Sequence, residues 1–210
     1  MIKKENLLLY AITNRKDETT ELFLNKIEKA LNGGVTCIQL REKELSKDAF
    51  TAEAKAVKRL CKRYCVPLII NDRLDVALES GADGVHVGQE DADISEIRRI
   101  TGKNFIIGAT AKTVEQAKAA EQKGADYLGV GAVFPSPTKT NAKRIKSEEL
   151  MDICTSVSIP SVAIGGINID NIYKLRGSKI AGIAVISAIF DADSIRLAAE
   201  NLKKEVIGLI

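Results

Sequence analysis

Eight short apolar segments recur along this chain, and longer charged segments with helical periodicity separate them. The apolar segments occupy residues 7–13, 37–40, 67–71, 84–88, 105–109, 127–131, 161–166 and 182–187. The clearest helical patterns lie at 21–32, 48–64 and 113–123. Strands that alternate with helices pair in parallel through right-handed crossovers, and eight such units make a closed barrel. We therefore predict an α/β fold, a TIM (β/α)8 barrel with outer helices, in one domain spanning 1–210.

A Gly-Ala-Asp sequence precedes two of the predicted strands, at 81–83 and 124–126, with looser versions at 33–35 and 180–182. Glycine at this point favours a left-handed helix cap, and the short turn then leads into the next strand. We assign these turns to stability and give them no chemistry. The alternative architecture is an open doubly wound sheet, which is disfavoured because no G-x-G-x-x-G turn follows the first strand.

Composition argues against several classes of partner. The chain has 31 basic and 28 acidic residues, for a net charge of +3, and no Trp. This balance predicts neither nucleic-acid nor membrane binding, and no apolar stretch approaches membrane-spanning length. Cys61 and Cys65 are one helical turn apart, but no nearby pair completes a zinc site. Reduced thiols are typical of a cytoplasmic protein, which we predict here.

The carboxyl ends of the predicted strands are polar, small or charged, in contrast to the apolar strand bodies. These ends comprise residues 39–43, 71–73, 88–91, 108–110, 135–139, 165–166 and 186–187. Barrel enzymes build their sites at this end of the strands. The sequence therefore predicts one large polar site.

Two carboxylates, Asp72 and Asp91, follow adjacent strands, and hard oxygen ligands with room for water and phosphate suit Mg²⁺. The alternative is that both residues are helix N-caps. Arg41, Lys43 and Lys139 add positive charge that can hold phosphate oxygens, although each could be an ordinary surface charge.

A second anion site is predicted after the last two strands. Gly165 and Gly166 allow close backbone approach to a phosphate, and Ser187 leads into a helix. Hydroxyls of the 136–138 turn could assist. His86 is the only histidine, which excludes a His-based triad or a three-His zinc site. We interpret it as packed or as orienting a neighbour, with a direct catalytic role left open.

The strand-end motifs together resemble the thiamine-phosphate synthase family across nearly the whole chain. The matching motifs are QLREK (39–43), ND (71–72), GVHVGQED (84–91), IGAT (107–110), DYLGVGAVFPSPTK (126–139), AIGGI (163–167) and AVISAI (184–189). The family usually has Ser at the position of Thr110, so the hydroxyl is retained and a methyl group is added.

The resemblance implies two small-molecule substrates, a hydroxymethylpyrimidine diphosphate and a hydroxyethylthiazole phosphate, with Mg²⁺ as the cofactor. The implied pyrimidine-diphosphate contacts are Gln39, Leu40, Arg41, Glu42, Lys43, Asn71, Thr110 and Lys139. The implied thiazole-phosphate contacts are Ser136, Pro137, Thr138, Gly166, Ile186 and Ser187. Asp72 and Asp91 would hold the metal. Arg41, Lys43, Thr110 and Lys139 would stabilise the leaving diphosphate as catalytic residues.

Three other functions compete with this interpretation. A thiazole tautomerase-like barrel should need a proton-shuttling His near the fifth or sixth strand end. A sugar-phosphate isomerase-like barrel needs a paired acid and base, for which Asp72 and Asp91 could be mistaken. A non-catalytic phosphometabolite-binding barrel would have little use for the charged rim. A homo-oligomer is possible, but the mixed exterior helices indicate no interface.

Overall fold

The strands of the computed structural model form a closed parallel barrel in which each strand pairs with the next and the eighth pairs with the first. The structure describes residues 2–135 and 144–210. The strands are β1 (Leu9–Ile12), β2 (Cys37–Leu40), β3 (Leu68–Asn71), β4 (Gly84–Val87), β5 (Ile106–Ala111), β6 (Tyr127–Gly131), β7 (Ser161–Ile164) and β8 (Gly182–Val185). The barrel prediction is confirmed, and the open-sheet alternative is wrong.

Helices surround the barrel on its outside. They are α1 (Thr20–Asn32), α2 (Lys47–Arg63), α3 (Leu74–Ser80), α4 (Ile94–Thr101), α5 (Val114–Gln122), α6 (Ser147–Thr155), α7 (Ser187–Phe190) and α8 (Ile195–Ile207). Short 3-10 helices lie at Lys4–Leu7 and Ile172–Leu175. Side-chain oxygens of Thr19, Ser46, Thr113 and Ser194 accept backbone N–H bonds at helix starts, which explains why α1, α2, α5 and α8 begin there.

Two apolar layers fill the structure because successive strand residues point to opposite faces. The larger layer lies between the strands and the helices. The smaller layer fills the barrel interior and comprises Ile2, Leu7, Tyr10, Ile12, Cys37, Ile69, Ile106, Tyr127, Val162 and Ala184. The strands are therefore buried on both faces, as their near-continuous apolar sequences predict.

The turns at the amino ends of the strands are structural, as predicted. Gly81 and Gly124 take left-handed φ values of 69° and 96°. Asp83 Oδ2 accepts a hydrogen bond from Leu68 N at 2.7 Å, and Asp126 Oδ2 accepts one from Ile107 N at 2.8 Å. Each Gly-Ala-Asp turn thus fastens its strand to the preceding one, at the end of the barrel opposite the predicted site.

Within residues 2–135 and 144–210, no helix has the length and apolar character that crossing a membrane requires. All four cysteines are free thiols; Cys37, Cys61 and Cys154 are buried, and Cys65 is exposed. Cys61 and Cys65 lie one helical turn apart in the sequence, and they form no disulfide.

Candidate active site

A cavity opens at the carboxyl ends of the strands. Five residues predicted as site residues, from four strand ends, line it, namely Gln39, Arg41, Asn71, Thr110 and Ile186. Most of the remaining lining is apolar or glycine, contributed by β1, β6, β7 and β8. The closed barrel is what brings these residues together, since they are far apart in the sequence.

Hydrogen bonds within the described part of the chain orient the polar groups of this cavity. Gln39 is 3% exposed, and its Nε2 donates to the hydroxyl of Tyr10 at 2.8 Å. The hydroxyl of Thr110 lies 3.1 Å from His86 Nε2. Asn71 Nδ2 donates to Asp72 Oδ2 at 2.5 Å. The floor of the cavity is thus held rigidly before any ligand binds.

Leu40 lies on the other face of β2 from Gln39. Its side chain is fully buried in the layer between the strands and the helices. The structure therefore places Leu40 among the residues that position the strand, and it does not bring this side chain into the cavity. The five-residue motif at 39–43 is divided between the two faces of the barrel wall.

The rest of that motif forms a charged rim. Arg41 lines both the central cavity and an adjoining outer cavity, which Glu42 and Lys43 also line. Arg41 N donates to Thr13 Oγ1 at 3.0 Å, which ties the ends of β1 and β2 together. Burial raises the pKa of the Glu42 carboxyl, while the nearby charges of Arg15 and Arg41 act in the opposite direction.

Arg15 anchors the loop that faces this rim, and the sequence analysis did not identify it. It forms an ion pair with Glu53 of α2, and its guanidinium lies 5.4 Å from the centre of the Phe23 ring. Arg15 Nη2 also donates to Glu18 O at 3.1 Å. The signal in the sequence was a charged residue shortly after the first strand, which ends at Ile12.

Neither predicted metal carboxylate caps a helix. The N-cap of α3 is Arg73, and the N-cap of α4 is Asp93, whose carboxylate accepts a bond from Ser95 N at 2.8 Å. The capping alternative for Asp72 and Asp91 is therefore wrong. Both side chains are exposed at the strand ends.

Local structure around the two carboxylates suits a hydrated divalent cation. Asp91 Oδ2 accepts a bond from Gly88 N at 2.6 Å, which fixes that carboxylate while using one of its oxygens. Asp72 takes a left-handed φ of 60°. No cluster of three or more metal-ligating side chains occurs in residues 2–135 and 144–210. Mg²⁺ usually keeps several waters and binds through one or two carboxylates and substrate phosphate, so the chemistry of these two side chains suits that ion.

The predicted second anion site is only partly described. Ile186 lines the cavity, and Ser187 is the first residue of α7. A Cβ at Gly166 would lie 2.1 Å from Pro135 O, so this glycine is required by close backbone packing as well as by its φ of 65°. Four further predicted residues, Ser136, Pro137, Thr138 and Lys139, lie outside the described residues.

Several lining residues of the cavity were not among the predicted site residues. Tyr10 and Ile12 of β1 line the cavity, as does Lys112, which follows β5. Lys112 lies two residues beyond Thr110, and strand residues two positions apart face the same side, which was the signal in the sequence. Tyr10 carries a hydroxyl in the middle of the apolar segment 7–13, which was the signal for an inward polar group.

Comparison with known proteins decides the family. The family model described as thiamine monophosphate synthase matches residues 9–189. Thiamine-phosphate synthase 2 of Streptococcus pneumoniae is 44% identical over 100% of both chains. Thiamine-phosphate synthase of Methanobrevibacter smithii is 46% identical over 95% of both chains. This chain belongs to the thiamine monophosphate synthase family.

A solved structure agrees with membership of the thiamine monophosphate synthase family, and a second one shares the fold. Thiamine phosphate pyrophosphorylase from Pyrococcus furiosus superposes with a TM-score of 0.90 at 42% identity, covering 99% of this chain and 98% of that one. A 3-hexulose-6-phosphate synthase superposes with a TM-score of 0.68 at 15% identity, covering 94% of this chain and 99% of that one. The second similarity concerns the barrel fold alone.

Proposed function

We propose that this chain is a thiamine-phosphate synthase. It would join 4-amino-2-methyl-5-hydroxymethylpyrimidine diphosphate to a hydroxyethylthiazole phosphate, in its plain or carboxylated form, and release pyrophosphate. The observation that carries the proposal is one cavity that combines an apolar interior, two amide side chains and a cationic rim at the strand ends. Family membership supports the same reaction.

The interior of the cavity suits a flat, weakly polar ring. Ile12, Val162 and Ile164 supply apolar surface, and the amides of Gln39 and Asn71 supply donors and acceptors for ring nitrogens and an amino group. A pyrimidine bound there would direct its diphosphate toward the charged rim.

Stabilisation of the leaving diphosphate is the catalytic task that the rim can perform. The attacking thiazole nitrogen uses a lone pair and has no proton to lose, so the coupling step needs no general base. This requirement fits a chain with one histidine. Negative charge builds up on the leaving diphosphate as its bond to the pyrimidine methylene breaks. The side chains of Arg41, Lys43 and Lys139 would neutralise this charge, and the Thr110 hydroxyl would donate a hydrogen bond to the same group. The electron-rich aminopyrimidine can carry the resulting positive charge, so we favour a dissociative displacement.

Asp72 and Asp91 would hold Mg²⁺ beside this diphosphate. When bound, Mg²⁺ supplies additional positive charge to the phosphate oxygens. The carboxylates themselves fix the position of the cation at the ends of β3 and β4. Asn71 restrains Asp72, and the Gly88 N–H restrains Asp91, so little rearrangement is needed on binding.

The thiazole phosphate would bind to Gly166, Ile186 and Ser187, together with Ser136, Pro137 and Thr138. Support comes from the position of Gly166 after β7 and of Ile186 and Ser187 after β8, where barrels often bind phosphate. We further expect small molecules to be the only ligands, with a location in the cytoplasm, where the three buried thiols and Cys65 would stay reduced. A homo-oligomer is compatible with these roles.

The tautomerase alternative is less well supported. It requires a histidine that can exchange a proton with substrate, whereas both ring nitrogens of His86 lie within hydrogen-bonding distance of side-chain hydroxyls of the barrel. His86 is therefore better placed to orient a neighbouring group than to shuttle protons.

Release of pyrophosphate tests the proposal directly. Purified protein is mixed with both substrates, either with Mg²⁺ or with a chelator, and pyrophosphate is followed over time. We expect release that depends on both substrates and on Mg²⁺. Absence of release with both substrates and Mg²⁺ would refute the synthase function, and undiminished release in chelator would refute the metal site.

A further inference from the structure

A continuous row of hydrogen bonds crosses the barrel interior beneath the cavity. Gln39 Nε2 donates to Tyr10 OH at 2.8 Å, and the hydroxyls of Tyr10 and Tyr127 lie 2.8 Å apart. Tyr127 OH lies 3.0 Å from His86 Nδ1, and His86 Nε2 lies 3.1 Å from Thr110 Oγ1. Gln39, Tyr10, His86 and Thr110 line the cavity, and the buried Tyr127 connects Tyr10 to His86 behind its wall.

In the first part of the row, the donor and the acceptor of each hydrogen bond are defined. Burial raises the pKa of Tyr10 and of Tyr127 well above the ordinary value, so each hydroxyl keeps one hydrogen. Because an amide N–H can only donate, Tyr10 accepts from Gln39 and directs its own hydrogen to Tyr127. The thiol of Cys37 also lies beside Tyr10, but sulfur is a much weaker acceptor than a phenolic oxygen.

The remaining bonds follow from this direction. Tyr127 accepts from Tyr10, so its own hydrogen goes to His86 Nδ1. An imidazole nitrogen that accepts carries no hydrogen, so the ring is neutral and its hydrogen resides on Nε2. Nε2 then donates to Thr110 Oγ1. The hydrogen of the Thr110 hydroxyl therefore does not point at His86 and is directed toward the cavity.

We propose that this row fixes Thr110 as a hydrogen-bond donor to an anionic group in the cavity, with Tyr127 and His86 as positioning residues. The identity of that group as the leaving diphosphate rests on the proposed function. The opposite direction of the row would turn the Thr110 hydrogen to His86 and would present only oxygen lone pairs to the anion. The donor and acceptor roles along the five hydrogen-bonded residues thus decide whether the Thr110 hydroxyl attracts or repels the leaving group.

The barrel backbone is shaped to bring the two rings of the row together. His86 and Tyr127 stand on either side of Gly108 in the register of β4, β5 and β6. A Cβ at Gly108 would lie 2.3 Å from Tyr127 OH and 2.5 Å from His86 Nδ1. A Cβ at Gly129 would lie 3.1 Å from the His86 ring. Glycine at position 108 therefore leaves the space in which the hydroxyl and the imidazole meet.

The tautomer of His86 tests the direction of the row without any assay of activity. His86 is the only histidine in the chain, so protein labelled with 15N-histidine gives the ring signals of one residue. Two-bond 1H–15N correlation distinguishes a protonated from an unprotonated ring nitrogen. At neutral pH we expect hydrogen on Nε2 and none on Nδ1. A ring with hydrogen on Nδ1, or on both nitrogens, would overturn the proposal.

Variants test whether the row acts through Thr110. Tyr127→Phe removes the donor to Nδ1, so we expect a mixture of His86 tautomers and about a tenfold lower kcat with little change in KM. Tyr64→Phe is the matched control, since that hydroxyl contacts Glu28 and Asn32 on the helices and should change neither property. A single unchanged tautomer and an unchanged kcat in Tyr127→Phe would contradict the proposal.

A double-variant cycle separates this route from a general packing effect. Thr110→Val should lower kcat about a hundredfold, whereas Thr110→Ser should stay within about threefold of the wild type. Adding Tyr127→Phe to Thr110→Val should cause no further loss, because the hydroxyl that the row orients is already absent. A further tenfold loss in the double variant would overturn the proposed route.

The two proposals fail in different ways. A wild-type protein that releases no pyrophosphate would refute the synthase function, while the His86 tautomer would still decide the direction of the row. Normal pyrophosphate release with hydrogen on Nδ1 would refute the row alone. The tautomer measurement uses the unaltered protein, so it remains decisive even when Tyr127→Phe does not fold.

Discussion

Adjacent residues at the strand ends have different roles because successive strand side chains point to opposite faces. Gln39 reaches into the cavity, whereas Leu40 packs beneath the helices. In the loop after β4, local backbone contacts instead separate Asp91, which is held by the Gly88 N–H, from Asp93, which caps α4. Two aspartates in one loop therefore offer a direct comparison between a candidate ligand and a structural cap.

Asp91→Asn tests the metal role at the residue scale. The amide oxygen can still accept the bond from Gly88 N, but the negative charge is lost, so we expect the Mg²⁺ concentration for half-maximal pyrophosphate release to rise at least about tenfold. Asp93→Asn is the matched control and should change only stability, by about 1 kcal/mol or less. An unchanged Mg²⁺ dependence in Asp91→Asn would remove this residue from the metal site.

Lys112→Ala tests a cavity residue that the sequence analysis missed. Lys112 lines the cavity and carries an ammonium group that can attract phosphate oxygens, so we expect KM for the pyrimidine diphosphate to rise about tenfold. Lys118→Ala removes an exposed lysine of α5 and should leave the kinetics unchanged. Equal kinetics for the two variants would show that Lys112 does not contact substrate.

At the scale of elements, the barrel divides stability from chemistry between its two ends. Asp126 joins three elements at the amino end of the strands, through bonds to Ile107 N and to Arg98 of α4. Arg98 also donates to the carbonyls of Gly102 and Phe105, at 2.6 and 2.7 Å. None of these groups lines the catalytic cavity.

Asp126→Ala should therefore weaken the fold without altering the site. Loss of a buried acceptor for both Ile107 N and Arg98 should lower the free energy of unfolding by about 3 kcal/mol, measured by urea denaturation. Turnover per folded molecule should not change. Asp152→Ala, at an exposed position of α6, is the control and should leave stability within about 0.5 kcal/mol of the wild type. A large loss of turnover with normal stability would contradict this division of roles.

At the scale of the whole molecule, barrel closure buries several groups that ionise at alkaline pH. Burial raises the pKa of Tyr10, Tyr127 and Cys37 well above their ordinary values. It also raises the pKa of Cys61 to about 12 and that of Cys154 to about 11. These groups stay protonated in the folded protein at a pH where the unfolded chain loses their protons.

Stability should consequently fall as pH rises above about 9, where unfolded thiols begin to ionise, and more steeply above about 10, where tyrosines follow. The unfolded state then binds fewer protons than the folded state, so the free energy of unfolding decreases with pH. Each group adds a slope of up to about 1.4 kcal/mol per pH unit. Urea denaturation between pH 8 and 11 measures this slope.

Cys61→Ala provides the variant for the alkaline prediction, because it removes one of the raised thiols and should make the slope shallower. Cys65→Ala, which removes the exposed thiol, should keep the wild-type slope. Stability that stays constant up to pH 11, or an equal slope in wild type and Cys61→Ala, would contradict the assignment of buried protonated thiols.

The order of elements was predictable from the sequence because it depends on local periodicity and turn chemistry. The segments at 37–40 and 127–131 coincide with β2 and β6, and the helical patterns agree with α1, α2 and α5 to within a residue or two. The prediction of phosphate and a divalent cation at the strand ends also came from residue types, since hard anions and cations select a small set of side chains, and it stays a prediction.

Only the tertiary structure decided which of those residues meet. Barrel closure turns Leu40 away from the cavity, brings Lys112 to it, and places Arg15 against Glu53 of α2. It also joins His86 to Tyr127 across Gly108, a contact set by the register between three strands. Short-range preferences in the sequence determine local conformation. The face to which each side chain points and the strand register depend on long-range strand pairing, which is complete only when the barrel closes.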